Sequence, residues 1–106
     1  MTLVRAGRML ALSLFGAIMS YDPSKDRLNQ AKHAIPLAFG ARVIADPHSL
    51  EAVDDRFDYG EERWNVIGRM EGVVYMATYT ERAEGARFIS VRRATAAETT
   101  RYFANR

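Results

Sequence analysis

Arg87-Phe88-Ile89-Ser90-Val91-Arg92-Arg93-Ala94-Thr95 is the stretch from which the fold of this chain can be read. Period two puts Ile89 and Val91 on one side and Phe88, Ser90 and Arg92 on the other. Such a strand buries an aliphatic face and displays an aromatic ring, a hydroxyl and a guanidinium, which suits a polyanion. An ordinary antiparallel strand with a wet polar face has the same pattern.

Two further strands lead into it. Residues 61–69 alternate Trp64 and Val66 against Arg63, Asn65 and Ile67, and Val73–Arg82 is rich in β-branched and aromatic residues. Glu71-Gly72 and Ala83-Glu84-Gly85 supply the turns, so an antiparallel meander is expected. Residues 49–53 are a short fourth strand candidate. Downstream, Thr95-Ala96-Ala97-Glu98 has the capping-box pattern and opens a helix to about Ala104, which can bury Tyr102 or Phe103.

Upstream the signals are helical. Asp22 is a good N-cap with Pro23 at the first helical position, and the helix Pro23–His33 has Leu28 and Ala31 as a thin apolar stripe. Lys32 and His33 fall in its last turn, where cations complement the helix dipole. A second, more apolar helix over residues 35–45 offers Leu37, Phe39, Val43 and Ile44 to a core and ends at Asp46-Pro47. The expected fold class is therefore α+β: two N-terminal helices and a C-terminal helix on one side of a twisted antiparallel sheet of about four strands. The uncovered sheet face is where a groove would lie.

Composition bounds the chemistry. The chain has 106 residues, enough for one domain, and no cysteine, which removes disulfides, thiolate metal sites and cysteine nucleophiles. Residues 1–62 carry seven Lys/Arg and nine Asp/Glu, whereas residues 63–106 carry eight Arg and four Glu. The second half is thus basic by four charges, all of its cations being arginine, the residue suited to bidentate phosphate contacts. The carboxylates between Asp54 and Asp58 match no EF-hand spacing and read as a solvated turn.

The first 18 residues differ from the rest. Arg5 and Arg8 precede an apolar run over residues 9–19, too short to span a bilayer and similar to a secretory signal. A packed native extension and a start codon placed too early, with Met19 as the true start, are the competing readings. The last is favoured, giving an extension over 1–18 and a working domain over 19–106.

Tyr21-Asp22-Pro23-Ser24-Lys25, Asn29, Lys32-His33, Asp46-Pro47, Gly60-Glu61-Glu62-Arg63, Ile67-Gly68, Tyr79-Thr80-Glu81-Arg82 and the stretch Arg87 to Thr95 together resemble the BrnT toxins, over about Tyr21 to Tyr102. The resemblance implies a RelE-like fold and a cytoplasmic endoribonuclease of a type II toxin–antitoxin system. No cofactor, no metal and no membrane are expected. The resemblance also implies a BrnA-type ribbon-helix-helix antitoxin that neutralises the toxin in a heterotetramer, with DNA bound only through that complex. The chain departs from the family at Ala34, where glycine is usual, and at Pro36-Leu37-Ala38-Phe39, where the family has two acidic residues.

RNA cleavage without a metal uses the substrate's own 2′-hydroxyl, and needs a base and cations for the developing charge. His33 and Glu61 are the base candidates, and Arg63 and Arg92 the phosphate-stabilising ones. Lys32 and Arg82 are further phosphate contacts, Phe88 could stack a nucleobase, and Ser90 shares that face. A Glu61–Arg63 ion pair on the sheet, and helix capping by Lys32 and His33, are the structural alternatives. A non-catalytic module that binds RNA or protein through the same face is the competing function. A secreted role rests only on residues 9–19.

Overall fold

Asp22 and Pro23 start the first helix as their chemistry requires. Asp22 is extended (φ −80°, ψ 124°), its carboxylate accepts the Ser24 N–H, and Pro23 takes the first helical position. This helix, α1 (Pro23–His33), has the expected bounds. It closes on Ala34 at φ 60°, in the left-handed region where a side chain is strained, with the Ala34 N–H donating to the Gln30 carbonyl. The computed structural model describes residues 4–6, 19–55, 58 and 60–105. The expected extension 1–18 therefore lies outside the described residues except for Val4–Ala6.

The expected stripe on α1 is corrected. Leu28 is 70% exposed and Ala31 is exposed, whereas Asn29 is the buried residue. The Asn29 Nδ2 donates to the carbonyls of Ile35 and Val91, both at 2.8 Å, and its Oδ1 accepts the Val91 N–H at 3.1 Å. A polar clamp, rather than an apolar face, holds this helix to the sheet. The second expected helix is shorter than its span of apolar residues. It is a 3₁₀ turn over Leu37–Phe39 followed by α2 (Gly40–Ile44). Pro36 confines the start to an extended conformation, and the turn's first N–H, that of Leu37, is taken by the Asp26 carboxylate.

The sheet is built of β1 (Val4–Ala6), β2 (Met19–Tyr21), β3 (Leu50–Val53), β4 (Trp64–Met70), β5 (Val73–Arg82) and β6 (Gly85–Arg93). Among the described residues its order is β1-β3-β4-β5-β6-β2. The meander β3–β6 is antiparallel as expected, and β2 joins β6 in parallel. Among the described residues six strands replace the expected four because β1 and β2 have three residues each, too few to show a period, and gain their order by pairing on the sheet edges.

One irregularity resets the reading of β6. Thr78 pairs with Ser90 but Tyr79 pairs with Phe88, so Ile89 is an extra residue, a β-bulge. The bulge flips the parity. Phe88 and Val91 both face the helices and are fully buried, while Ser90 and Arg92 face the other way. Phe88 is therefore a core residue and not a platform for a nucleobase. A Cβ on Gly40 would lie 2.5 Å from its ring, so a glycine there lets α2 close over it.

The main core lies between α1–α2 and the sheet, with Leu37, Val43, Trp64, Val66, Tyr79 and Phe88 at its centre. The expectation of helices on one side only is also corrected. A smaller cluster of Ile67, Val74, Met76 and Tyr102 occupies the opposite face under α3 (Ala96–Ala104). Those strand residues alternate outward from the main core and need a cover. Of the two expected anchors, Tyr102 is buried and Phe103 is 46% exposed. The Tyr102 hydroxyl donates to the Asp46 carboxylate at 2.5 Å, and Asp46 also accepts the N–H groups of His48 and Arg69. Burial raises the Asp46 pKa, but these hydrogen bonds outweigh it and hold it below the ordinary carboxylate value. Since α3 covers only one end of its face, the rest of that face stays open.

Candidate active site

The open face is a cleft of about 390 Å³ between β3–β6 and α3. Its floor follows from register. Asn65 pairs with Thr78 and Thr78 with Ser90, which gives a polar row across three strands, and the Thr78 hydroxyl donates to Asn65 Oδ1 at 2.7 Å. One step along, Ile67, Met76 and Arg92 form the next row, beneath Glu98 and Arg101 of α3. Arg63 closes the far end. Arg63, Arg92 and Arg101 thus lie around a floor of neutral hydrogen-bonding and apolar groups, and Glu51, Asp54, Asp55 and Glu98 line the same cleft.

Arg92 is already engaged. Its two terminal nitrogens donate to the two carboxylate oxygens of Glu98 at 2.8 and 3.0 Å, and Nη1 also reaches the Arg93 carbonyl. Glu98 completes the predicted capping box with Thr95, so one carboxylate serves both helix end and guanidinium. The Arg92 hydrogen bonds hold the Glu98 pKa below its ordinary value, burial opposes them, and Thr95 adds to the lowering.

Glu61 lies at the rim, with its carboxylate 3.7 Å from Arg63 Nε and 3.2 Å from Arg82 Nη2. The structure thus contains the expected Glu61–Arg63 ion pair and adds Arg82 to it. Both Glu61 carboxylate oxygens are thus engaged by guanidiniums.

Lys32 and His33 sit outside the cleft, in an adjoining groove of about 200 Å³ between α1 and β6. Ile89 and Ser90 line both hollows, so the bulge is their shared wall. Partial burial, then Lys32 and Arg92, pull the His33 pKa below 6.5, so the imidazole is largely neutral at pH 7 and able to accept a proton. Of the eight site residues expected from sequence, Arg63, Ser90 and Arg92 share the cleft. Lys32 and His33 adjoin it, Glu61 and Arg82 form its rim pair, and Phe88 is excluded by burial.

Sequence reasoning missed Arg101, Asn65 and Thr78. Arg101 was visible three residues after Glu98, one helical turn along the same face. The other two depended on strand register. The expected solvated turn is half right, because Asp55 and Asp58 are exposed but Asp54 is buried, its N–H donating to the Arg63 carbonyl. Among the described residues no three His, Asp or Glu side chains are grouped as ligands for a metal ion, and no helix is long and apolar enough to cross a membrane.

The fold is that of a small α+β protein with a cleft of arginines and carboxylates on an open sheet face, beside a groove that holds an imidazole. The family described as ribonuclease toxin, BrnT, of type II toxin–antitoxin system matches residues 21–98 of the chain. The chain belongs to the BrnT family, which makes it a ribonuclease toxin with RNA as substrate and an antitoxin as partner. A search of curated proteins found no relative.

Proposed function

We propose that this toxin is a metal-independent endoribonuclease with a RelE-like fold, and that the cleft between β3–β6 and α3 is where RNA is cut. The observation that carries this reading is the placement of Arg63 and Arg92 around one polar floor, with neutral His33 across the bulge. His33 takes the proton of the 2′-hydroxyl, which attacks the adjacent phosphorus. Arg92 and Arg63 stabilise the charge that develops on the non-bridging oxygens. The 5′-oxygen leaves with a proton from water, which the open cleft admits.

We also propose that the partner is a BrnA-type ribbon-helix-helix antitoxin, assembled with the toxin as a heterotetramer in the cytoplasm, and that DNA is bound only through this complex. Family membership supports the partner. Residues 19–106 are the proposed working domain, supported by the pairing of β2 from Met19 onward.

The test is cleavage of RNA in chelator by the purified toxin. Arg92→Ala and Arg63→Ala are each expected to lower the rate about 10²-fold or more while RNA affinity largely persists. Growth arrest with RNA left intact, both with and without ribosomes, would sink the ribonuclease mechanism. One observation favours a second reading, that of a non-catalytic binding module: Glu98 and Glu61 already occupy the arginines. The same variants separate the two, since a module loses binding and never shows cleavage.

A further inference from the structure

The groove between α1 and β6 holds features that the cleavage chemistry does not use. Lys25, Leu28 and Lys32 lie at spacings of three and four residues, on one face of α1, and all line this groove. Leu28 is 70% exposed, which is unusual for a large aliphatic side chain on a helix that packs against a sheet. Neither lysine forms an ion pair among the described residues, in contrast to Arg63, Arg82 and Arg92. The two lysines are seven residues apart, or about 10 Å along the helix, so they reach two different anionic groups rather than one.

The other wall is the bulge. Ile89 and Ser90 belong to this groove and to the cleft alike, so a strand of RNA leaving the cleft past Ser90 reaches the groove across that one shared wall. We propose that this groove is a second substrate subsite, holding the single-stranded RNA that flanks the scissile phosphate. Lys25 and Lys32 bind two backbone phosphates, and Leu28 with Ile89 forms an apolar bed for the intervening base. The proposal rests on the ribonuclease reading of the cleft. Two cations without carboxylate partners beside an apolar surface fit a phosphate backbone with its bases laid down. The continuity with the cleft favours RNA over a docking protein as occupant.

The experiment uses the full chain and a fluorescent, fully 2′-O-methylated RNA oligonucleotide, which lacks the attacking hydroxyl and stays intact. Affinity is measured by anisotropy over a series of salt concentrations. Single-strand contacts each contribute about 0.7 to the slope of log affinity against log salt, so Lys25→Gln/Lys32→Gln should make that slope shallower by about 1.4. Lys25→Arg/Lys32→Arg should keep the wild-type slope, and Leu28→Ala should weaken binding without changing it. In cleavage, the advantage of a long unmodified RNA over a dinucleotide should shrink in the glutamine variant. An unchanged slope overturns the subsite, as does an unchanged slope together with weakened antitoxin binding, which would assign the groove to the partner. If wild-type protein cleaves no RNA but the slope changes as expected, the groove stands and the ribonuclease reading of the cleft fails instead.

Discussion

Asn29→Ala should be among the most damaging polar substitutions in this protein. At Val91 the parallel partner of β6 has already ended, since β2 pairs only as far as Tyr21 opposite Phe88. The Asn29 amide takes the place of that missing strand, accepting the Val91 N–H and donating to the Val91 carbonyl, and its second N–H is given to Ile35. The residue is 6% exposed, so water cannot replace it without opening the helix. Three hydrogen bonds at about 0.5–1.5 kcal/mol each, with the added penalty of stranded buried groups, come to roughly 2–4 kcal/mol. For a domain of this size a change of 1 kcal/mol moves the melting temperature by about 4–8 °C, so a fall of about 10–25 °C is expected. Asn29→Asp should be no better, because it presents a carboxylate to two carbonyls. Circular dichroism melts with a urea titration measure both. A loss under about 1 kcal/mol for Asn29→Ala would refute the reasoning and show that α1 is held by other contacts.

Ala34→Gly should stabilise the fold by about 1 kcal/mol, read in the same melts, because it relieves a left-handed alanine at φ 60°. Gly68→Ala should cost about 1–3 kcal/mol by denaturant titration, since its Cβ would collide with the Val43 carbonyl oxygen and force α2 off the sheet. Glu98→Ala should be less stable than Arg92→Ala by about 1 kcal/mol, having lost a helix cap as well as a partly exposed ion pair, whereas cleavage should fall further in Arg92→Ala. His33 should titrate below 6.5 in an NMR pH series of the folded protein. Between that lowered value and 6.5 the unfolded chain binds more protons, so His33 removes stability as pH falls through this window and has no effect above it. If His33 is the base, cleavage should fall with the same midpoint; a cleavage profile flat across it removes His33 from the mechanism.

The elements with strong local chemistry were legible in sequence. Asp22-Pro23 and the Thr95–Glu98 box set the ends of α1 and α3, and Glu71-Gly72, both at positive φ, turns β4 into β5. What escaped was decided by pairing. The bulge at Ile89 leaves no mark in a period-two count, yet it moves Phe88 into the core while keeping Ser90 and Arg92 on the open face. Arg63 and Arg92 were legible as cations on that face, but their carboxylate partners were only half so. Glu98 was readable as a cap and Glu61 as a neighbour of Arg63; that Glu98 also reaches Arg92, and Arg82 reaches Glu61, depends on the packing of α3 and the pairing of β4 with β5. Asn29 was hidden because an apolar stripe is the usual sign of a packed helix, and this helix packs through an amide.

The paired carboxylates bear on how the cleft meets its substrate. Three guanidiniums around one hollow repel one another. Glu98 and Glu61 offset that cost, and Glu98 does so with the same two-oxygen geometry that a phosphodiester presents. Under the proposed mechanism the phosphate therefore competes with Glu98 for the Arg92 fork. Binding cannot rest on Arg92 alone, because an exchange of one anion for another at the same fork gains little. The net gain has to come from cations that form no ion pair among the described residues: Arg101 in the cleft, and Lys25 and Lys32 along the path that leaves it past Ser90. On this account Arg92 and Arg63 hold and activate the scissile phosphate, and Arg101 with the lysines of α1 supplies affinity that brings it there.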